Sequence, residues 1–188
     1  LARQARGGRD RSIALFGGFG RRRVVACDAL RNADARGGQP LDVSVDGTEH
    51  TARRAVVLAT GTGALIPPIP GLADAHAWTN RLGTTSSTVP ERLLILGGGV
   101  VGVELGQAWA SLGSRVSIVE GGPRLIAREE ELASTFVHEA LAARGVEVHI
   151  GSRAVGVDRN GVVKLTLENG DVLEGDEILV GVGRRPAT

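Results

Sequence analysis

The run from Arg92 to Glu120, RLLILGGGVVGVELGQAWASLGSRVSIVE, limits what this chain can fold into more than any other stretch. Leu93 to Leu96 is a short apolar segment that fits a strand buried on both faces. Gly97, Gly99 and Gly102 follow at once as G-x-G-x-x-G, within the triplet Gly97-Gly98-Gly99. The small and apolar residues up to about Leu112 read as a helix, which Gly113 is placed to stop. Arg115 to Val119 is a second strand, and Glu120 closes it with an acid. A strand, a glycine turn, a helix and a second strand ending in a carboxylate is a βαβ unit shaped to hold a dinucleotide. Gly97 permits the tight turn, Gly99 leaves backbone N–H groups open to a pyrophosphate, and Gly102 lets the helix lie close on the sheet. The positive end of the helix then faces the phosphates. Glu120, 18 residues beyond Gly102, is positioned to accept hydrogen bonds from the adenosine ribose hydroxyls.

Composition narrows the remaining classes. With 188 residues and 42% hydrophobic content, the chain can bury a core as one ordinary domain or two small ones. A formal net charge of +1 selects no polyanion, and Arg3, Arg6, Arg9 and Arg11 lack the aromatic interleaving of a nucleic-acid arm. Lys164 is the single lysine and Met and Tyr are absent, which points to a G/C-rich coding sequence rather than an arginine-specific function. No stretch is long and apolar enough to cross a membrane and no signal-peptide pattern opens the chain, so a cytoplasmic location is expected. Cys27 stands alone, without a disulfide partner or a C-x-x-C, and reads as a small buried hydrophobe. His50, His76, His138 and His149 lack metal-ligand spacing, so no metal and no Ser-His-Asp catalysis is expected.

The flanking segments frame the βαβ unit. Ser12 to Phe16 and Val24 to Cys27 read as strands around the Gly17–Gly20 turn, with Arg21-Arg22-Arg23 as a solvated edge. Leu41 to Val45 alternates apolar and polar before the hairpin turn Asp46-Gly47, so residues 12 to about 53 are expected to form an antiparallel meander. Ala55 to Ala59 is continuously apolar, like a central strand. The prolines of Pro67-Pro68-Ile69-Pro70-Gly71 then lead the chain out of the sheet. Leu72 to Pro90 reads as a polar connector that holds the domain boundary. Beyond Gly121-Gly122-Pro123, a helix starts near Glu131 and carries Leu132, Phe136, Val137, Ala140, Leu141 and Ala143 largely on one face. Val146 to Ile150 is a strand, Arg153–Asp158 and Val162–Leu167 a hairpin through Asn160-Gly161, and Glu177 to Val180 a last buried strand.

Three segments, in this order and spacing, resemble the flavoprotein disulfide reductases that bind two dinucleotides, the family of dihydrolipoamide dehydrogenase, glutathione reductase and mercuric reductase. They are Ala59-Thr60-Gly61-Thr62 followed by Pro67-Pro68-Ile69-Pro70-Gly71, then Gly97-Gly98-Gly99-Val100-Val101-Gly102-Val103-Glu104-Leu105-Gly106, then Val182-Gly183-Arg184-Arg185-Pro186. Asn80-Arg81 and Thr84-Thr85 ahead of Val89-Pro90-Glu91-Arg92 are most similar to the dihydrolipoamide dehydrogenase and mercuric reductase branch. The resemblance implies an α/β fold: a Rossmann-like NAD(P)-binding domain, with parallel sheet, βαβ unit and antiparallel meander, joined to part of an FAD-binding domain. Residues 1–82 correspond to part of the FAD domain, 83–183 to the NAD(P) domain, and 184–188 to the return into the FAD domain.

The resemblance also implies roles. Ala59, Thr60, Gly61 and Thr62 would meet FAD, and the backbone of Gly97, Gly98, Gly99 and Gly102 would hold the NAD pyrophosphate. Val100 and Val101 would line the nicotinamide approach, with Glu104 near the carboxamide and Gly183 at the nicotinamide end. A carboxylate at Glu120 repels the 2′-phosphate of NADP, so NAD is favoured; Arg124 is the nearby cation within reach of such a phosphate. The family's C-x-x-x-x-C redox pair, its first FAD glycine motif and its interface domain do not occur in these residues. The chain therefore reads as an internal fragment, with no catalytic residue of its own, of an enzyme that passes hydride between NAD(P)H and flavin to a small-molecule or disulfide acceptor. The family dimerises at full length. A free-standing NAD(H)-binding module without chemistry is the alternative from a different class. A simple single-domain NAD dehydrogenase leaves the Ala-Thr-Gly and Gly-Arg-Arg-Pro segments without a use.

Overall fold

The computed structural model describes residues 14–16, 41–45, 48–52, 57–59 and 61–186. Thr60, Cys27, the arginines of residues 3–11 and 21–23, and the Asp46-Gly47 turn lie outside them. The chain divides into two compact units, residues 1–62 with 186–188, and residues 63–185.

In the first unit, β1 (Ala14–Phe16), β2 (Leu41–Val45), β3 (Thr48–Ala52) and β4 (Val57–Ala59) are strands. β2 and β3 form the expected antiparallel hairpin, with Val43 opposite His50. β1 departs from the expected antiparallel meander: it pairs in parallel with β4, Leu15 opposite Leu58. A parallel pair needs a long crossover, and the residues separating β1 from β4 supply one.

The chain continues with β5 (Thr62–Ala64), α1 (Asn80–Thr85), β6 (Arg92–Leu96), α2 (Val100–Ser111), β7 (Arg115–Glu120) and α3 (Glu131–Ala142). It then adds β8 (Glu147–Ile150), β9 (Ala154–Asn160), β10 (Val162–Leu167), β11 (Val172–Gly175), β12 (Glu177–Val180) and β13 (Arg184–Pro186). A four-stranded parallel sheet of order β12-β6-β7-β8 forms the middle layer. The antiparallel meander β9-β10-β11 covers one face of it, and the helices cover the other.

The period of two in a strand explains the division. In β6, Leu94 and Leu96 point to the meander, where they pack with Val157, Val163, Leu165 and Leu167. Leu93 and Ile95 point the other way, into a cluster with Trp109, Leu125 and Leu141. β12 splits alike: Ile178 and Val180 face the meander, and Leu179 faces the helices. Burying each such side chain is worth about 1.5–3 kcal/mol, whereas an exposed ion pair contributes about 0–1 kcal/mol. The two apolar layers, not the surface charges, therefore hold this unit together.

Two sequence expectations change. Leu72 to Pro90 is not a bare polar connector: Leu72 and Ala75 are buried in the meander-side core, and Trp78 bridges to Leu179. Trp78 also packs on Trp109, ring centroids 5.4 Å apart, while the Trp109 indole N–H donates to the carbonyl of Gly83 at 3.1 Å. The apolar residues of α3 do not all face the core. Leu132 and Phe136 are 65% and 60% exposed. Ser134, Val137 and Leu141 turn inward instead, and the Ser134 hydroxyl donates to the buried Leu125 carbonyl at 2.7 Å.

Where β6 begins, Asp176 closes the sheet edge. Its carboxylate accepts from the Arg92 backbone N–H and from the Arg92 guanidinium, both at 2.8 Å, and its own N–H donates to the Arg92 carbonyl. The guanidinium hydrogen bond holds the Asp176 carboxyl below the ordinary carboxylate range. That stabilisation is complete above the ordinary carboxylate value and disappears as pH falls through the lowered one. Asp176→Asn is expected to lower the thermal midpoint at pH 7, with the gap to the parent closing in acid through that lowered value. A gap that stays constant into acid would remove the charge from this account.

Candidate dinucleotide site

The order β12-β6-β7-β8 reverses direction at β6, since β7 lies on one side of it and β12 on the other. Crevices beyond the carboxyl ends of strands at such a reversal are where open α/β sheets bind ligands. Gly97 follows β6 there and Gly181 follows β12. The Gly181 N–H donates to the Leu96 carbonyl at 2.8 Å, and the Gly97 N–H donates to the Val119 carbonyl at 2.8 Å.

The glycines differ in what each is for. Gly97 has φ +106°, and a Cβ there would stand 2.8 Å from the carbonyl carbon of Gly181. A Cβ on Gly102 would overlap the carbonyl oxygen of Gly97 and crowd the Ile95 side chain. Both residues are therefore demanded by packing inside the unit. At Gly99 the nearest atom to a Cβ is the Gly181 carbonyl oxygen, 4.0 Å away. Nothing in the fold requires glycine there; open space does. Gly99 is also the N-cap of α2 and provides no side-chain cap, and no acid lies in the first turn. The first-turn amides, which have no intrahelical acceptor, thus face that space with the positive helix end behind them.

Glu120 is half-buried at the end of β7, and its two oxygens are already engaged. One accepts the Gly98 N–H at 2.6 Å, the other the Gly122 N–H at 2.6 Å. A carboxylate offers about four lone-pair sites, so each oxygen retains capacity for a hydroxyl. The Gly98 carbonyl in turn accepts the N–H of Ile126 at 2.8 Å, with Ile126 at φ +39° and Leu125 fully buried beneath the loop. Sequence reasoning read Gly121-Gly122-Pro123 as a turn before the next helix and missed this clasp. The apolar pair Leu125-Ile126 within a Gly-, Pro- and Arg-rich loop was the available signal.

Among the other expected site residues, Val100 is 52% exposed at the first position of α2, Val101 is half-buried and Glu104 exposed. Gly183, at φ +145°, accepts the Leu65 N–H at 3.0 Å through its carbonyl, and Val182 lies against Gly97. The Asn80 side chain accepts a hydrogen bond from the Arg184 guanidinium at 2.9 Å, joining α1 to the Gly-Arg-Arg-Pro segment. Ala59 ends β4, Gly61 and Thr62 are exposed, and Thr60 lies outside the described residues. Arg124 does not reach outward: its guanidinium donates to the carbonyls of Ala127 and Glu129 at 2.9 and 2.8 Å. Among the described residues there is no cluster of potential metal ligands and no helix long and apolar enough to cross a membrane.

Comparisons with known proteins show the family to which the chain belongs. The family model described as pyridine nucleotide-disulphide oxidoreductase matches residues 22–188. A mercuric reductase from Acidithiobacillus ferrooxidans is 40% identical over 133 residues, covering 70% of this chain and 24% of that protein. A dihydrolipoyl dehydrogenase from Thermus scotoductus is 34% identical over 162 residues, covering 82% of this chain and 34% of that protein. Among solved structures, the HOCl-induced flavoprotein disulfide reductase RclA from Escherichia coli superposes with a TM-score of 0.67 at 27% identity, over 80% of this chain and 34% of that one. The chain thus spans about a quarter to a third of the length of these relatives.

Gly102→Ala is expected to lower stability by roughly 1–3 kcal/mol, the usual cost of forcing a group into a packed interior. Denaturant unfolding checks this, and an unchanged midpoint would contradict the tight approach of α2 to the loop.

Proposed function

The chain belongs to the pyridine nucleotide-disulphide oxidoreductase family, and on that premise we propose that it supplies the NAD(H)-binding part of an FAD-dependent oxidoreductase. Residues 83–183 are assigned to the NAD(P) domain, residues 1–82 to part of the FAD domain and 184–188 to the return into it. The observation that carries the reading is the open space at Gly99 in front of the uncapped N-terminus of α2, beside a carboxylate at the end of the next strand. When bound, NADH supplies the hydride that this family passes to flavin.

The residues of this chain bind and orient. The amides that open α2 receive the pyrophosphate, and the missing side chain at Gly99 admits it. Glu120 receives the ribose hydroxyls on its spare lone pairs while Gly98 and Gly122 hold it still. Val100 and Val101 line the nicotinamide side, Glu104 stands near the carboxamide, and Gly183 flanks the same end. Ala59, Thr60, Gly61 and Thr62 are assigned to FAD. NADH is favoured over NADPH because a 2′-phosphate would meet the Glu120 carboxylate. The electron acceptor is a small molecule or a disulfide, the full-length protein is a homodimer in the cytoplasm, and this chain alone does not turn over. The family match over residues 22–188, well beyond the βαβ unit, favours this reading over a free-standing NAD(H)-binding module.

The test separates binding from folding. Gly99→Val is expected to keep the thermal midpoint within a degree or two while abolishing NADH binding, read as loss of the NADH fluorescence change on titration. Retained affinity in the folded variant would sink the assignment of the loop.

A further inference from the structure

A second arginine approaches the ribose side of the site from outside the glycine-rich loop. Arg153 follows the end of β8, and two backbone bonds fix that turn against the end of β7. The Ser152 N–H donates to the Glu120 carbonyl at 3.0 Å, and the Gly151 N–H donates to the Gly122 carbonyl at 2.9 Å. A Cβ placed on Gly121 would lie 3.4 Å from Cγ of Arg153, so the arginine stem runs alongside the residue that follows Glu120. Among the described residues the Arg153 guanidinium is exposed and makes no hydrogen bond or ion pair. Beside it is a recess of about 250 Å³ lined by Gly151, Ser152, Arg153, Leu167, Glu168 and Asn169.

Arg124, the cation that sequence spacing favours, is spent on two loop carbonyls and would have to give them up to reach a ligand. Arg153 gives up nothing. A guanidinium matches a phosphate monoester with paired N–H donors, and its charge opposes that of the Glu120 carboxylate.

We propose that Arg153 sets how far this site accepts a 2′-phosphorylated dinucleotide, by pairing with the phosphate on the adenosine ribose and offsetting part of the repulsion from Glu120. The proposal rests on the reading of Glu120 as the ribose acceptor. It adds the turn after β8 to the determinants of NADH-over-NADPH preference, beside Glu120 at the end of β7.

Titration of the 188-residue chain with NADH and with NADPH, at low and at moderate salt, tests it. Arg153→Gln is expected to weaken NADPH binding roughly three- to fivefold, as befits an exposed charge pair, and to leave NADH within twofold. The salt dependence of NADPH binding should fall in the same variant. Repeating the pair in a Glu120→Ala background, where the repulsion is gone, keeps the NADPH effect measurable. Equal effects on both nucleotides, no effect on either, or a selective NADPH loss in Arg124→Gln would overturn the proposal. Failure of the parent chain to bind NADH, or an NADH-to-NADPH ratio that Glu120→Ala does not narrow, would instead remove the underlying ribose assignment, and the proposal with it.

Discussion

The contact on which the site depends is one between main chains. The turn after β6 lies against the turn after β12, and the first turn of α2 lies against the turn after β6, with no room for a Cβ at Gly97 or Gly102. This approach carries the end of β6, the end of β12 and the amino end of α2 into a single small volume. Side chains border it, Ile95 under Gly102 and Leu125 and Glu120 beside Gly98. The consequence is a site made of amides and space, which suits a ligand whose centre is an anionic pyrophosphate. Of the three glycines in the spacing, two are answers to packing and the third, Gly99, borders open space.

Glu120 links the site to the loop that follows it. The same carboxylate that is assigned to the ribose ties the Gly98 and Gly122 amides together, so the acid is preorganised before any ligand arrives. Preorganisation of this kind reduces the ordering cost of binding. It also means that replacing Glu120 changes both the charge facing the ribose and the shape of the loop. Changes at Gly99, where an added Cβ would meet only the Gly181 carbonyl oxygen at 4.0 Å, are cleaner probes.

Sequence alone made the βαβ unit and its neighbours legible because periodicity, glycine spacing and turn chemistry all agreed there. Leu93-Leu94-Ile95-Leu96 is apolar at every position, as a strand covered by a meander on one face and helices on the other must be. Where local and tertiary signals parted, reading failed. The apolar residues of α3 counted equally in the sequence, but Val137 and Leu141 pack on the helix side of the sheet with Ser134 bonded to Leu125, and Leu132 and Phe136 face outward. Residues 72–90 read as polar because of the Thr and Ser run from Thr84 to Thr88, yet Leu72, Ala75 and Trp78 anchor them to the core through contacts far away in sequence. Arg124 and Arg153 illustrate the same limit at the site: proximity along the chain favoured the first, while backbone pairing between the turns after β7 and β8 brings the second alongside. The assignment to the family came from three motifs in order, and the family match over residues 22–188 upholds it.

The central claim, that the loop after β6 and the opening of α2 receive NADH, is tested most directly by amide hydrogen exchange with and without NADH. The account predicts new protection centred on Gly98 to Gly102, with a smaller effect at Glu120 to Gly122, and none in the meander β9-β10-β11. Protection spread evenly over the chain, or confined to residues away from that loop, would contradict it.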